Sequence, residues 1–171
     1  MTTAPVFPKP TFTVREDRSW TAANGGKDKE TYTIVAELPE GTVSALRLEV
    51  PADSSLPMDG PGRSTGVNFV LSEIEVRTES GPVELHSPTA DYSQKGWAVT
   101  AATDGNPATG WGVGGAVGKS HEATFRFVKP LDGAKTRRLT VTLSQQYGSQ
   151  HTIGRFRLVA IEGETSESIV P

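Results

Sequence analysis

Residues 102–121, "ATDGNPATGWGVGGAVGKSH", contain three patterns that could each do chemistry: a glycine-rich run, a Gly-Lys-Ser triplet and an Asp-Gly-Asn-Pro turn. The triplet suggests a phosphate-binding loop, and the glycines suggest a dinucleotide-binding turn. The Asp-Gly-Asn-Pro turn could aim several carbonyl oxygens at one point, and calcium binds six to eight hard oxygens at about 2.3 to 2.6 Å. The alternative for this turn is an Asx-capped turn that holds no metal.

Neither nucleotide pattern has the context that its chemistry needs. A phosphate-binding loop has a glycine five positions before the glycine of its Gly-Lys-Ser, but that position is Val113 here, and the strand-like "HEATFRF" follows Ser120 where a helix is required. Without a helix N-terminus there is no converging set of backbone N–H donors for phosphate. Gly110, Gly112 and Gly115 match G-x-G-x-x-G, but they do not lie between a strand and a helix. We therefore predict no nucleotide site.

No group of residues has the spacing of a catalytic site, and we expect that the chain is not an enzyme. "GRSTG" around Ser64 matches G-x-S-x-G, but it lies in a Pro-Gly loop without a strand-to-helix elbow. His121 and Glu122 are adjacent in a predicted strand, where neighbouring side chains point to opposite faces. Two carboxylates among Asp91, Asp104 and Glu122 could in principle converge for glycoside hydrolysis, but the sequence does not place them together.

A second set of residues has the chemistry of sugar binding. Sugar-binding sandwiches offer an aromatic ring to the apolar face of a pyranose and a few polar groups to its hydroxyls, usually from loops at one end. The candidates are Trp97, His121, Gln145, Tyr147, His151 and Arg155. Each has a structural alternative, because Trp97 could pack in the core and a lone histidine is more often a satisfied structural residue. Gln145 and Tyr147 continue the inward parity of Leu139, Val141 and Leu143, so they could simply cap the core.

The elements that must position these residues are strands. Period-two alternation of apolar and polar residues recurs along the chain, and helical periodicity is almost absent. The predicted strands lie in segments 31–38, 45–50, 67–76, 123–127, 138–145 and 155–161. Segment 67–76 is apolar on both faces, as in a central strand, and 18 Gly and 12 Pro punctuate the gaps. We predict an all-β antiparallel β-sandwich of the jelly-roll kind, with function on loops such as 51–66 and 103–120.

The stretch "AATDGNPATGW" resembles the A-x-D-G-N-x-x-T-x-W loop of discoidin-type modules, which are galactose-binding-like jelly rolls. Residues 43–76, 90–115 and 143–158 resemble still more closely the carbohydrate-binding-like domain of exported, planctomycete-type proteins, which join cytochrome c domains to large domains of unknown function. The resemblance covers most of residues 30–160. It implies a non-catalytic carbohydrate-binding-like module of a larger exported protein.

The discoidin resemblance also implies a structural calcium ion. Carried over residue by residue, its ligands are the Ala101 carbonyl, the Asp104 carboxylate, the Asn106 carbonyl, and the carbonyl and hydroxyl of Thr109. In that family a glutamate from a strand near the C-terminus closes the site, whereas "LSEIEV" precedes the loop here. Glu73, with the Ser72 carbonyl beside it, would then close the site in a circularly permuted domain.

Length and charge limit the number of domains and the classes of partner that we expect. The 171 residues suit one domain, which we assign to residues 11–163, with linker remnants at 1–10 and 164–171. A net charge of −3 argues against nucleic acid or an anionic membrane surface as a partner, and the absence of cysteine excludes disulfides and thiolate metal sites. No run approaches the roughly 18 to 20 apolar residues of a membrane span, and the first ten residues lack a signal-peptide pattern.

The expected partners are a polysaccharide or glycan and the neighbouring domains of a parent chain. The alternative is a protein-interaction or spacer domain that binds no sugar. We expect a monomer, and the family resemblance alone predicts an extracellular or periplasmic location.

Overall fold

A computed structural model of the protein describes residues 12–23 and 26–163. Twelve strands are present there: β1 Phe12–Val14, β2 Trp20–Ala22, β3 Glu30–Glu37, β4 Thr42–Val50, β5 Val70–Leu71, β6 Glu73–Thr78, β7 Gly81–Val83, β8 Leu85–Ala90, β9 Trp111–Gly112, β10 His121–Asp132, β11 Arg138–Gln145 and β12 Arg155–Glu162. The helical elements in those ranges are the 3-10 helices Pro57–Asp59 and Val99–Thr103 and the four-residue α1, Gly133–Thr136. The predicted linker remnants 1–10 and 164–171, and residue 11, lie outside the described residues.

The strands form two main sheets and one small one. The six-stranded sheet has the order β1-β2-β12-β4-β10-β8, the four-stranded sheet has the order β3-β11-β6-β7, and β5 pairs with β9. Every pairing between these strands is antiparallel. One core of buried side chains draws on both main sheets, so the prediction of an all-β antiparallel sandwich is confirmed. The jelly-roll connection and the circular permutation remain predictions.

Apolar alternation positions the two sheets face to face. On β4, Leu46, Leu48 and Val50 are buried in the core, whereas Arg47 and Glu49 between them are partly exposed. On β11, Leu139, Val141, Leu143 and Gln145 are buried while the residues between them reach the surface. Burying each such aliphatic side chain stabilises the fold by about 1.5 to 3 kcal/mol, so this alternation fixes which face of each strand points inward.

Segment 67–76 is divided between two sheets, which differs from the prediction of one central strand. The break falls at Ser72, whose N–H donates to the Ser144 carbonyl (2.8 Å) and whose hydroxyl accepts from the Gln146 N–H (3.0 Å). After the break, β6 pairs with β11, whereas before it β5 pairs with β9. The small β5–β9 sheet therefore brings residues 70–71 against residues 111–112.

None of the helices in residues 12–23 and 26–163 is long and apolar enough to cross a membrane.

Candidate functional site

The Asp-Gly-Asn-Pro turn gathers oxygen atoms directly after the 3-10 helix Val99–Thr103. The Asp104 carboxylate accepts the Asn106 N–H at one oxygen (2.8 Å) and the Thr109 hydroxyl at the other (2.6 Å). The Asn106 carbonyl accepts the Thr109 N–H (3.2 Å) and lies 3.0 Å from the Thr109 hydroxyl, whose one proton goes to Asp104 at the shorter distance. These hydrogen bonds lower the pKa of Asp104, first through the Thr109 hydroxyl and then through the Asn106 N–H. The loop is therefore an Asx turn with an ionised carboxylate at its centre.

Glu73 brings a second carboxyl group to this loop. It begins β6, which contacts the 3-10 helix, and its carboxyl faces Asp104 and the N–H groups of Gly105 and Asn106. Its Oε1 is buried and has no hydrogen-bond partner among the described residues. Burial and the neighbouring Asp104 side chain raise the pKa of Glu73 to about 7, against the opposing effect of the two N–H groups. Below about pH 7 a proton on Glu73 relieves the repulsion between the two carboxyl groups, and a bound cation would relieve it at higher pH.

The donor set of this loop fits a calcium ion. A buried carboxylate oxygen without a donor is unfavourable, and a hard cation beside Asp104 would supply the missing charge. The Thr109 hydroxyl and the Asn106 carbonyl each keep a lone pair that can bind an ion while they hold their present hydrogen bonds. The set contains only two carboxylates, and the described part of the chain holds no group of three or more histidine, aspartate or glutamate side chains suited to a metal. Ala101 lies in the adjoining 3-10 helix and Ser72 directly precedes Glu73, so all six predicted ligands lie on the two segments that meet here.

A surface cleft gives solvent access to Glu73. The cleft has a volume of about 500 Å³, and Glu73, Thr103 and Gly105 contribute to its lining. An ion could therefore reach Glu73 without opening the sandwich.

Three of the residues predicted to bind sugar lie together and form what we call the aromatic platform: Trp97, Tyr147 and His151. The ring centroids of Trp97 and Tyr147 are 5.2 Å apart at an interplanar angle of 86°. Those of Tyr147 and His151 are 4.6 Å apart at 65°. The Tyr147 side chain is 51% exposed. The platform is thus a cluster of contacting rings on the surface.

Hydrogen bonds to the β5–β9 sheet bring the two segments of the platform together. On one side, the Val70 N–H donates to the His151 carbonyl (3.1 Å). On the other side, the Gly112 N–H donates to the Trp97 carbonyl (3.1 Å). The segments around Trp97 and His151, about fifty positions apart in the chain, therefore meet because each is hydrogen-bonded to one strand of the small sheet.

A tight turn sets the position of Trp97. Its N–H donates to the Gln94 carbonyl (2.9 Å), and Gly96 within the turn has a φ of +82°, which glycine adopts without strain. Gly112 lies beside this turn, and a β-carbon at position 112 would come within 3.4 Å of the Trp97 β-carbon. A side chain at position 112 would therefore press against the base of the Trp97 side chain.

The other predicted sugar-binding residues have internal partners. His121 is 4% exposed, with Nδ1 2.8 Å from the Asp91 carboxylate and Nε2 2.7 Å from the Ala116 carbonyl. Gln145 is 1% exposed, and its Oε1 accepts the Ile153 N–H at 2.6 Å. His121 and Gln145 are therefore buried residues with structural hydrogen bonds, which was the alternative to sugar binding for both.

Arg155 belongs to a network of ion pairs that fastens the N-terminal strands to the sandwich. Its guanidinium lies 2.5 Å from the Asp17 carboxylate and 3.2 Å from that of Asp53, which in turn lies 2.9 Å from Arg15. The Ser19 side chain and N–H, together with Arg155, lower the pKa of Asp17 to about 2. The carboxylates therefore stay ionised over the whole neutral range and hold the arginine in place.

The sequence did not reveal a buried ion pair behind the platform. Arg63 and Glu30 form a salt bridge with side chains only 9% and 11% exposed. Arg63 also donates to the Tyr32 hydroxyl (2.9 Å) and to the Thr152 hydroxyl (3.0 Å). Thr152 adjoins His151, so this pair supports the loop that carries two platform rings. No sequence signal could have found it, because its members are 33 positions apart in unrelated segments.

Comparisons of the chain with protein-family models, with curated proteins and with solved structures find no match.

Proposed function

We propose that this protein is a non-catalytic carbohydrate-binding module that retains a polysaccharide or glycan on the aromatic platform. The observation that carries the proposal is the meeting of Trp97, Tyr147 and His151 on one surface. Aromatic rings at a protein surface offer flat apolar area with polar edges, and this suits the apolar face and the hydroxyls of a pyranose. The resemblance to discoidin-type modules favours the same function, within a larger protein that is extracellular or periplasmic.

The polar edges of the platform are free for a ligand. Among the described residues, neither the Trp97 indole nitrogen nor the Tyr147 hydroxyl has a hydrogen-bond partner in the protein, whereas the Nδ1–H of His151 donates to the Gly148 carbonyl (2.9 Å). The indole nitrogen and the tyrosine hydroxyl can bond to sugar hydroxyls without breaking any contact of the fold. Because only three rings are involved, we expect weak binding, with a Kd of about 0.1 to 1 mM.

We also propose that a calcium ion holds the loop 101–109 to β6 and has a structural role. Asp104 and Glu73 would supply its two carboxylates, and Ala101, Asn106, Thr109 and Ser72 would supply neutral oxygens. The ion would replace the proton that Glu73 otherwise holds below about pH 7. None of the platform groups belongs to this set, so the affinity for sugar should not depend directly on calcium.

Retention on a panel of immobilised glycans tests the sugar-binding proposal. The wild-type protein should be retained by at least one glycan, and Trp97→Ala, Tyr147→Ala and His151→Ala should each weaken that retention. The matched control is Val35→Ala, which shortens an apolar side chain that is 63% exposed on a different sheet. If no glycan retains the wild type, or if the three platform variants bind as the wild type does, the protein is better described as a protein-interaction or spacer domain.

A further inference from the structure

The buried ring of His121, at the start of β10, contacts two oxygen atoms that both accept hydrogen bonds. Nδ1 lies 2.8 Å from the Asp91 carboxylate, and Nε2 lies 2.7 Å from the Ala116 carbonyl. A neutral imidazole has only one N–H, so it can donate to one of these oxygens and not to both. The arrangement therefore holds one proton more than a neutral histidine beside an ionised aspartate. The count is the same if that proton resides on Asp91 and is donated to Nδ1.

The surroundings of His121 supply one negative charge for this extra proton. The His121 side chain is 3% exposed, and the Asp91 carboxylate that faces it is fixed by the Glu122 N–H, which donates to its other oxygen (2.9 Å). The Tyr92 ring lies 5.8 Å from the imidazole. The other charged groups of this region are Lys119 in the preceding loop and four residues that pair with one another on the sheet surface: Arg47, Glu49, Glu122 and Arg157. Asp91 is thus the counter-charge of a buried imidazolium.

The Ala116 carbonyl belongs to the glycine-rich loop, residues 113–120, and His121 holds the middle of this loop. Nearer its ends, the Gly114 carbonyl accepts the Tyr92 hydroxyl (2.9 Å), and the Gly118 N–H donates to the Gly60 carbonyl (2.7 Å). Within the part of the chain that the structure describes, the bond to His121 is the one hydrogen bond that ties residues 115–117 to a residue outside the loop. Its loss would free this stretch from the sandwich.

We propose that His121 is a pH-sensitive switch, which holds the glycine-rich loop at Ala116 when both ring nitrogens are protonated and releases it when one proton is lost. The Asp91 carboxylate keeps the remaining N–H, because a hydrogen bond to a charged acceptor is the stronger one. Nε2 then turns a lone pair towards the Ala116 carbonyl, and two acceptors at this distance repel each other. The contact is therefore present at low pH and is lost as the pH rises through the titration of His121.

NMR spectroscopy of the unaltered protein tests the switch directly. Nitrogen–proton spectra of the histidine rings, recorded from about pH 5 to about pH 9, show which ring nitrogens carry a proton. We expect both nitrogens of His121 to be protonated at the low end and one of them to lose its proton as the pH rises. The backbone signals of Ala116 and Val117 should shift with the same midpoint. Titration of His86, which is partly exposed on β8, should leave these signals unchanged.

Asp91→Asn should abolish the pH dependence while it keeps both contacts of the ring. The asparagine oxygen can accept the Glu122 N–H as Asp91 does, and its nitrogen can then donate to Nδ1. A neutral His121 would donate through Nε2 to Ala116, so the loop signals of the variant should stay at their low-pH positions throughout. Asp132→Asn is the matched control, because Asp132 lies at the other end of β10 and caps α1. Its loop signals should titrate as in the wild type.

Several results would overturn the inference. In the wild type these are a His121 that carries one ring proton over the whole range, a His121 that carries two over the whole range, or a titration of His121 that leaves the loop signals in place. In a folded Asp91→Asn variant, loop signals that still shift as in the wild type would show that the proton count is wrong. Should this variant fail to fold, the spectra of the wild type alone decide.

Discussion

Replacing Glu73 with glutamine should change stability in opposite directions with and without calcium. Without metal, the pKa of Glu73 is about 7 in the folded protein against 4.5 ordinarily. Between these values the folded state binds a proton that the unfolded chain has lost, so the stability of the wild type falls as the pH rises from about 4.5 to 7. Glutamine does not titrate. In chelator, Glu73→Gln should therefore be more stable than the wild type at pH 8, and this advantage should vanish towards pH 4.5.

The gain in stability from removing the Glu73 charge can be compared with the stabilisation by calcium. One pKa unit corresponds to about 1.4 kcal/mol, but solvent screens the partly exposed Glu73 carboxyl, so we expect a net advantage of Glu73→Gln on the order of 1 kcal/mol in chelator. At a hundredfold excess of calcium over its Kd, an ion that binds only the folded state stabilises it by about 2.7 kcal/mol. For a domain of this size that is a rise in Tm of roughly 5 to 10 °C. Calcium should thus reverse the order of the two proteins at pH 8.

Thermal unfolding of four proteins, in chelator and in calcium from pH 4.5 to 8, tests both the calcium response and the pH dependence. Beside the wild type and Glu73→Gln, Asp104→Asn removes the other anionic ligand and should lose most of the calcium response. Glu75→Gln is the matched control, since Glu75 lies two residues further along β6 and is exposed. If calcium leaves the wild-type Tm unchanged, the metal assignment is wrong and Asp-Gly-Asn-Pro is only an Asx turn. If the wild type and Glu73→Gln unfold together at every pH in chelator, the raised pKa of Glu73 is wrong.

Other parts of the molecule yield further predictions. Arg63→Met should destabilise the protein by about 3 to 5 kcal/mol in denaturant unfolding, because it leaves the buried Glu30 carboxylate unpaired, and adding Glu30→Gln should recover part of this loss. Although burial opposes the ionisation of Asp53, hydrogen bonds from Ser55 and two nearby arginines lower its pKa, so its contribution to stability is present above pH 3.8 and lost as the pH falls further. Asp53→Asn should accordingly flatten the dependence of unfolding on pH below 3.8. Tyr147→Ala should reduce glycan retention yet leave Tm within about 2 °C, as its ring is half exposed; a large fall in Tm would make the ring structural.

The long strands could be predicted from the sequence because each has one buried face. Leu46, Leu48 and Val50 alternate with charged residues. This period of two predicts a half-buried strand, whichever strands it pairs with. The short strands carry no such signal. The two residues of β9 cannot show a period, and β8 contains Pro88 in an irregular run. The break at Ser72 was also out of reach, because its causes are hydrogen bonds to Ser144 and Gln146 on another strand.

The two candidate sites, like the strands, could be predicted from the sequence only where local residues determine the structure. The spacing of Asp104, Asn106 and Thr109 predicts a local turn, and local hydrogen bonds do form it. The approach of Glu73 to that turn was expected only from the family resemblance. The aromatic platform was predicted as residue types without an arrangement, since its geometry depends on the small sheet that the sequence conceals.

The position of β12 determines how the molecule can be tethered. The loop before Arg155 carries Tyr147 and His151, and Phe12 lies at that same end, opposite Ala22, whose N–H donates to the Gly154 carbonyl. Gly163, by contrast, donates its N–H to the Thr42 carbonyl at the far end of the strand. Eight residues of extended chain separate the two ends by about 26 Å. An anchor attached after Gly163 would therefore present the rings outward from a sensor surface or a bead, whereas one attached before Phe12 would crowd them against the support.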